Sequence, residues 1–135
     1  GKERESTPDE TQRELAEKLI DAGARLVIGT HPHVLQELRW TPEGQLVAYS
    51  LGNFVFTTST EETSNETVVL DVTLTKDQIA EVKIWPGRIH FGLVQNLSAD
   101  SPEGAHIRQR LDAISPTVRI APDGTVIPSA SRVDN

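Results

Sequence analysis

Two histidines separated by one proline, in Gly29-Thr30-His31-Pro32-His33, have the types and spacing best suited to chemistry in this sequence. Neutral imidazole is the commonest side-chain nitrogen ligand for divalent transition metals. Side chains alternate along an extended backbone, so the first and third residues of a His-x-His run face the same way. Pro32 fixes its own φ and steers His31 toward extended geometry. Gly29 permits a tight turn ahead of the pair. Spacing alone leaves two readings open: metal ligands, or two solvent-facing or hydrogen-bonded imidazoles.

A second stretch, Tyr49-Ser50-Leu51-Gly52-Asn53-Phe54, ends an apolar run in a glycine and an asparagine. The Asn53 amide could ligate a metal, hold a phosphate oxygen or cap a turn. Ser50 lacks the Gly-x-Ser-x-Gly surround and an acid–histidine partner, which speaks against a nucleophile. His90, within an apolar run, reads as structural, and His106 as a solvated helix residue. Asp21, Asp71 and Asp77 suit a helix surface, a strand face and a turn, with no pairing for acid–base work. Trp40 and Trp85 read as packing residues at strand ends.

The elements that must position these residues follow from periodicity. Residues 1–7 are polar and read as loose. Thr7-Pro8-Asp9-Glu10 predicts a helix start with Thr7 as N-cap. Leu15, Ala16, Leu19, Ile20 and Ala22 then form an apolar stripe, and Gly23 a left-handed stop. Arg25 to Ile28 predicts a buried strand, which places Thr30 to His33 just past its C-terminal end, where α/β sheets bind ligands.

Val34–Trp40 and Leu46–Leu51 predict two strands around a Pro-Glu-Gly turn. Residues 57–66 read as a mobile polar loop, with a chance N-glycosylation pattern at Asn65-Glu66-Thr67. Val68–Leu74 and Ile79–Trp85 predict a hairpin ended by Pro86-Gly87, and Ile89–Leu97 a further strand. Ser101-Pro102 predicts the cap and first residue of a helix to Ile114. Val118–Ile120 and Thr125–Ile127 predict a small hairpin before a frayed tail. The fold class is therefore α/β (α+β): a mixed sheet with β-hairpins and two helices, in one domain over residues 1–135.

Composition narrows the functions. The formal net charge is −7, and the 13 basic residues form no cluster. Nucleic-acid affinity comes largely from lysine and arginine on phosphates, so a nucleic-acid partner is disfavoured, as is an anionic membrane surface. Without cysteine there is no disulfide or thiolate metal site. No apolar run approaches the roughly 20 residues of a membrane span.

Residues Ala16 to Gln36 and Val47 to Phe56 (VAYSLGNFVF) together resemble the bacterial capsule-synthesis, CapA-type proteins. The first run resembles that family's helix–strand–histidine segment, and the second its Tyr-Ser-Leu-Gly-Asn-Phe signature. Gly1-Lys2-Glu3 is similar to the end of its His-Trp-Gly-x-Glu stretch. The resemblance covers residues 1–56.

That resemblance implies the C-terminal part of a four-layer, calcineurin-like metallophosphoesterase sandwich whose N-terminal half is absent here. It implies His31 and His33 as metal ligands, with Asn53 as a supporting or substrate-side residue. Divalent ions of the manganese, iron or zinc class would be held in the full-length parent and weakly, or not at all, in this chain. A polymer or phosphate-containing substrate follows, as does capsule or poly-γ-glutamate production. The implied location is outside the cytoplasm of a bacterium, through an N-terminal anchor lying upstream. The implied partner is the N-terminal half of the same fold, or a second copy, covering a bare strand edge. Two other readings stand beside it: a non-catalytic surface interaction module, and a general phosphoesterase acting on nucleotides or lipids.

Overall fold

The computed structural model describes residues 1–57 and 59–129. Thr58 in the polar loop and the tail 130–135, expected to fray, lie outside the described residues. The fold is α/β, with two helices, two three-stranded sheets and a terminal hairpin.

Helix α1 spans Glu10–Asp21. Its N-cap is Asp9 rather than Thr7. The Asp9 carboxylate accepts from Gln12 N–H at 2.9 Å, and the Gln12 side chain accepts from Asp9 N–H at 3.2 Å. That reciprocal pair satisfies two orphan donors at once, which Thr7 followed by Glu10 cannot do from two residues upstream. Gly23 stops the helix at φ 99°, as its type predicts.

Strand β1 (Leu26–Ile28) pairs in parallel with β3 (Leu46–Ala48), and β2 (Leu38–Trp40) pairs antiparallel on the other side of β3. The predicted strand over Val34–Trp40 is shorter. Leu35 only bridges Leu51, because Gln36 and Glu37 turn inward to bind α1. β1 is thus the edge of this sheet, with Ile28 and the α1 residues Leu15 and Leu19 exposed beside it.

Strands β4 (Glu66–Leu74), β5 (Ile79–His90) and β6 (Leu93–Asn96) form an antiparallel meander. Pro86-Gly87 does not end β5. Pro86 lacks an N–H, but its carbonyl accepts from Leu97 N–H at 2.9 Å, so the ladder continues past it. The turn falls instead at Phe91-Gly92, with φ 49° and 78°. Trp85 therefore lies within β5, partly exposed, with Lys83 Nζ 4.7 Å from its ring centroid. His90 is exposed and meets Phe91 edge-on, which replaces the structural role expected of it.

Helix α2 (Pro102–Ala113) starts as predicted, with Ser101 Oγ accepting from Gly104 N–H. It packs on β5 and on β7 (Val118–Ile120), which pairs with β8 (Val126–Pro128). The main core joins both sheets and α2 through Leu35, Leu38, Leu46, Ile84, Ile107 and Leu111. Ser115 Oγ accepts from Leu38 N–H, and Thr117 Oγ1 from Trp40 N–H, fixing β2 against the segment after α2.

Candidate functional site

Gly29 carries the chain from β1 into the histidine loop. Its N–H donates to Ala48 O at 2.8 Å, so it still belongs to the sheet. A Cβ there would fall 2.4 Å from the Tyr49 carbonyl oxygen, a distance no side chain tolerates. Glycine is needed here for this close approach.

The next residues depart from the extended geometry that spacing suggests. His31 sits at φ 99° and His33 at φ 62°. Each lies in a region that L-residues avoid, at a cost of order 1–3 kcal/mol. The cause is a clamp from the N-terminus: Arg4 N–H, itself at φ 60°, donates to the Pro32 carbonyl at 2.7 Å. Pro32 is buried and the loop curls around it. The rings nevertheless meet, with centroids 6.1 Å apart.

Residues 1–7 are consequently not loose. Gln36, fully buried, donates from Nε2 to Glu5 O at 2.8 Å and accepts from Gln12 Nε2 at 2.8 Å. This holds the N-terminal segment across the sheet and sets Glu3 beside the histidines. Ligand atoms of Glu3, His31 and His33 lie within 4.8 Å of one another. Glu3 and Arg4 are the site residues that sequence reasoning misses, because only contacts distant in sequence place them.

Asn53 completes the arrangement from the far side. It is buried, and its Nδ2 donates to Ser64 O at 2.9 Å. That fixes the amide orientation and turns Oδ1 toward His33 Nδ1, 2.7 Å away. An amide oxygen only accepts, so His33 donates from Nδ1, and in the neutral tautomer this selects, Nε2 is the nitrogen with the lone pair. Gly52 makes this corner possible at φ 76°, where a Cβ would fall 2.5 Å from Glu66 O. Ser50 is buried and its Oγ accepts from Gly52 N–H at 3.3 Å, a turn role.

The loop after Asn53 is built, not free. Glu62–Asn65 forms a 3₁₀ turn with Ser64 and Asn65 buried. The Asn65 side chain accepts from Ser59 N–H at 2.7 Å and donates to Ser59 O at 2.8 Å, so it is engaged rather than presented as a glycan acceptor. A cleft of about 200 Å³ results, lined by Glu3, Arg4, His33, Asn53, Phe56 and Ser59 among others. Phe56 closes one side, 5.3 Å from the His33 ring centroid. Arg4 Nε pairs with Glu61 at 3.2 Å at the rim.

His106 stands apart, on α2. Its Nε2 is 3.6 Å from Glu66, a buried carboxylate also paired with Arg88 and Arg110. Among the described residues, Glu3, His31 and His33 are the grouping of three or more metal-binding side chains. One acid and two imidazoles, one of them oriented by an amide, fit a divalent transition metal of the zinc or iron class.

Comparison with known proteins falls on the same residues. Residues 1–58 match the family described as bacterial capsule synthesis protein PGA_cap. The chain is 35% identical over 101 residues to the PGA biosynthesis protein CapA of Bacillus subtilis strain 168, covering 75% of this chain and 26% of that protein. It is 41% identical over 69 residues to the capsule biosynthesis protein CapA of Bacillus anthracis, covering 51% of this chain and 16% of that protein. The chain therefore spans about a quarter or less of the relatives it matches. Over residues 1–58, which include the whole histidine loop and the Asn53 corner, the chain matches the bacterial CapA-type capsule synthesis proteins.

Proposed function

We propose that this chain supplies part of a metal-dependent, phosphoesterase-like site in a capsule or poly-γ-glutamate synthesis protein working outside the bacterial cytoplasm. The observation that carries the reading is the convergence of Glu3, His31 and His33, with His33 oriented by Asn53. Glu3, His31 and His33 would hold a divalent ion. Such an ion lowers the pKa of a bound water and polarises a phosphoryl oxygen. Asn53 holds the His33 tautomer, Ser59 and Ser64 line the cleft as polar groups, and Arg4 supplies a cation at its mouth. Three protein donors leave this site short of the ligands a two-metal centre takes. The chain alone is therefore a weak metal binder and a poor hydrolase.

The test is calorimetric titration with zinc and manganese, with hydrolysis of bis(p-nitrophenyl) phosphate followed in parallel. Weak binding that is lost in His33→Ala, with negligible turnover, is the expected result. Binding that ignores His33→Ala overturns the metal site, and rapid turnover overturns the incompleteness.

A second reading, a non-catalytic interaction module, is favoured by one observation. Leu15, Leu19, Val27, Ile28 and Val47 line a groove of about 230 Å³ along the β1 edge. Further chain of the same fold, or a second copy, would cover it. Metal content of a full-length relative, measured by elemental analysis, separates the two readings. No helix among the described residues is long and apolar enough to cross a membrane.

A further inference from the structure

Phe56 faces two environments. On one side its ring lies against His33 in the polar cleft. On the other it borders an open shelf of about 730 Å³ lined by Val55, Phe56, Thr57, Phe91 and Gly92. The β5–β6 turn brings the shelf together: the Phe56 carbonyl lies 3.8 Å from where a Gly92 Cβ would be. Val55 is 78% exposed and Phe91 84% exposed, and exposed Leu93 follows the turn. None of the shelf's lining side chains is ionisable, whereas the cleft across Phe56 holds Glu3, Arg4 and His33. Soluble proteins rarely leave an apolar patch of several large side chains uncovered without a partner for it.

We propose that the shelf seats the hydrocarbon chain of an amphiphilic phosphate ester whose head group occupies the His33 cleft. The proposal rests on the phosphoesterase-like reading of that cleft and names its substrate class. Continuity selects this occupant. The shelf and the cleft share Phe56, and the lining changes across it from charged to uncharged and mostly apolar, as polarity does along an alkyl phosphate. An anionic membrane surface fits less well, because the shelf carries no lysine or arginine to meet lipid head groups.

Chain length provides the test. Each buried methylene contributes about 0.8 kcal/mol, nearly fourfold in affinity, and a chain lying on an open shelf gains a fraction of that. Methyl phosphate and hexyl phosphate are titrated into the full chain with zinc present, the latter below its micelle concentration. Hexyl phosphate is expected to bind about tenfold tighter, a ratio that falls to about twofold in Phe91→Ser and likewise in Val55→Ser. Equal affinities for the two esters overturn the proposal while leaving the metal cleft standing. A tenfold ratio that survives both variants also overturns it, since the chain then lies elsewhere. A dimer abolished by Phe91→Ser, with no chain-length effect, assigns the shelf to a second copy and overturns it too. If neither ester binds and His33→Ala changes nothing, the cleft reading itself fails and this inference falls with it.

Discussion

Asn53 Oδ1 lies 2.7 Å from His33 Nδ1, and the same amide donates its other end to Ser64 O. One side chain thus selects the tautomer of a candidate ligand and ties it to the following loop. Groups of this kind behind metal-binding histidines typically contribute 10- to 100-fold to metal affinity. Asn53→Ala is expected to weaken zinc binding by at least tenfold. Asn53→Asp, which keeps an acceptor for Nδ1–H, should retain most of it while losing the bond to Ser64. Competition with a chromogenic chelator measures both, and unchanged affinity in the alanine variant would refute the role.

Gly29 is replaceable only at the expense of the loop. With the Tyr49 carbonyl 2.4 Å from the site of a Cβ, Gly29→Ala must push β1 from β3. Overpacking of this kind costs about 1–3 kcal/mol. Urea unfolding should show that loss, and zinc affinity should fall with it because the displacement is transmitted to His31.

Glu66 is 1% exposed and meets Arg110, Arg88 at 3.8 Å and His106 at 3.6 Å. Removing one partner from a buried ion pair strands the others. Glu66→Ala is expected to lose about 2–4 kcal/mol, at the lower end because both arginines keep some solvent contact. Glu66→Gln should lose less, since the amide still accepts hydrogen bonds. Denaturation curves of the two variants decide the point.

Asp9, Glu17, Asp100 and Asp123 are held below the usual carboxylate range, and two of them are tied to helix α1. The Gln12 backbone N–H does this for Asp9, and the Arg39 hydrogen bond for Glu17. A depressed folded-state pKa means stability that is present above the unfolded carboxylate range and lost as pH falls through the lowered value. Thermal melts should therefore decline on acidification below about pH 4. Asp9→Asn combined with Glu17→Gln should flatten that decline. An unaltered acid profile would count against these two groups.

Local signals were legible in the sequence, and signals carried by distant partners were not. Ser101-Pro102 announces α2 because the cap bonds three residues away. Asp9-x-x-Gln12 was equally local, but the proline after Thr7 offered a competing start. The strand-then-loop position of His31 and His33 follows from Arg25 to Gly29. Their left-handed backbone does not, because it depends on Arg4 reaching Pro32. Glu3 is legible only as the end of the Gly1-Lys2-Glu3 likeness: its place beside the histidines is not, because buried Gln36 orders its segment from some thirty residues away. Likewise, composition makes 57–66 read as mobile, whereas the Asn65–Ser59 bonds tie residues 59–65 together.

The backbone angles at His31 and His33 have a consequence for how this sequence can drift. Both positions are shapes that glycine adopts without penalty. His31 is exposed, so little packing resists its replacement there. A His31→Gly chain would melt higher than its parent while lacking an imidazole. Thermal robustness and retention of that ring therefore pull in opposite directions, and a screen for heat tolerance alone would discard the histidine first.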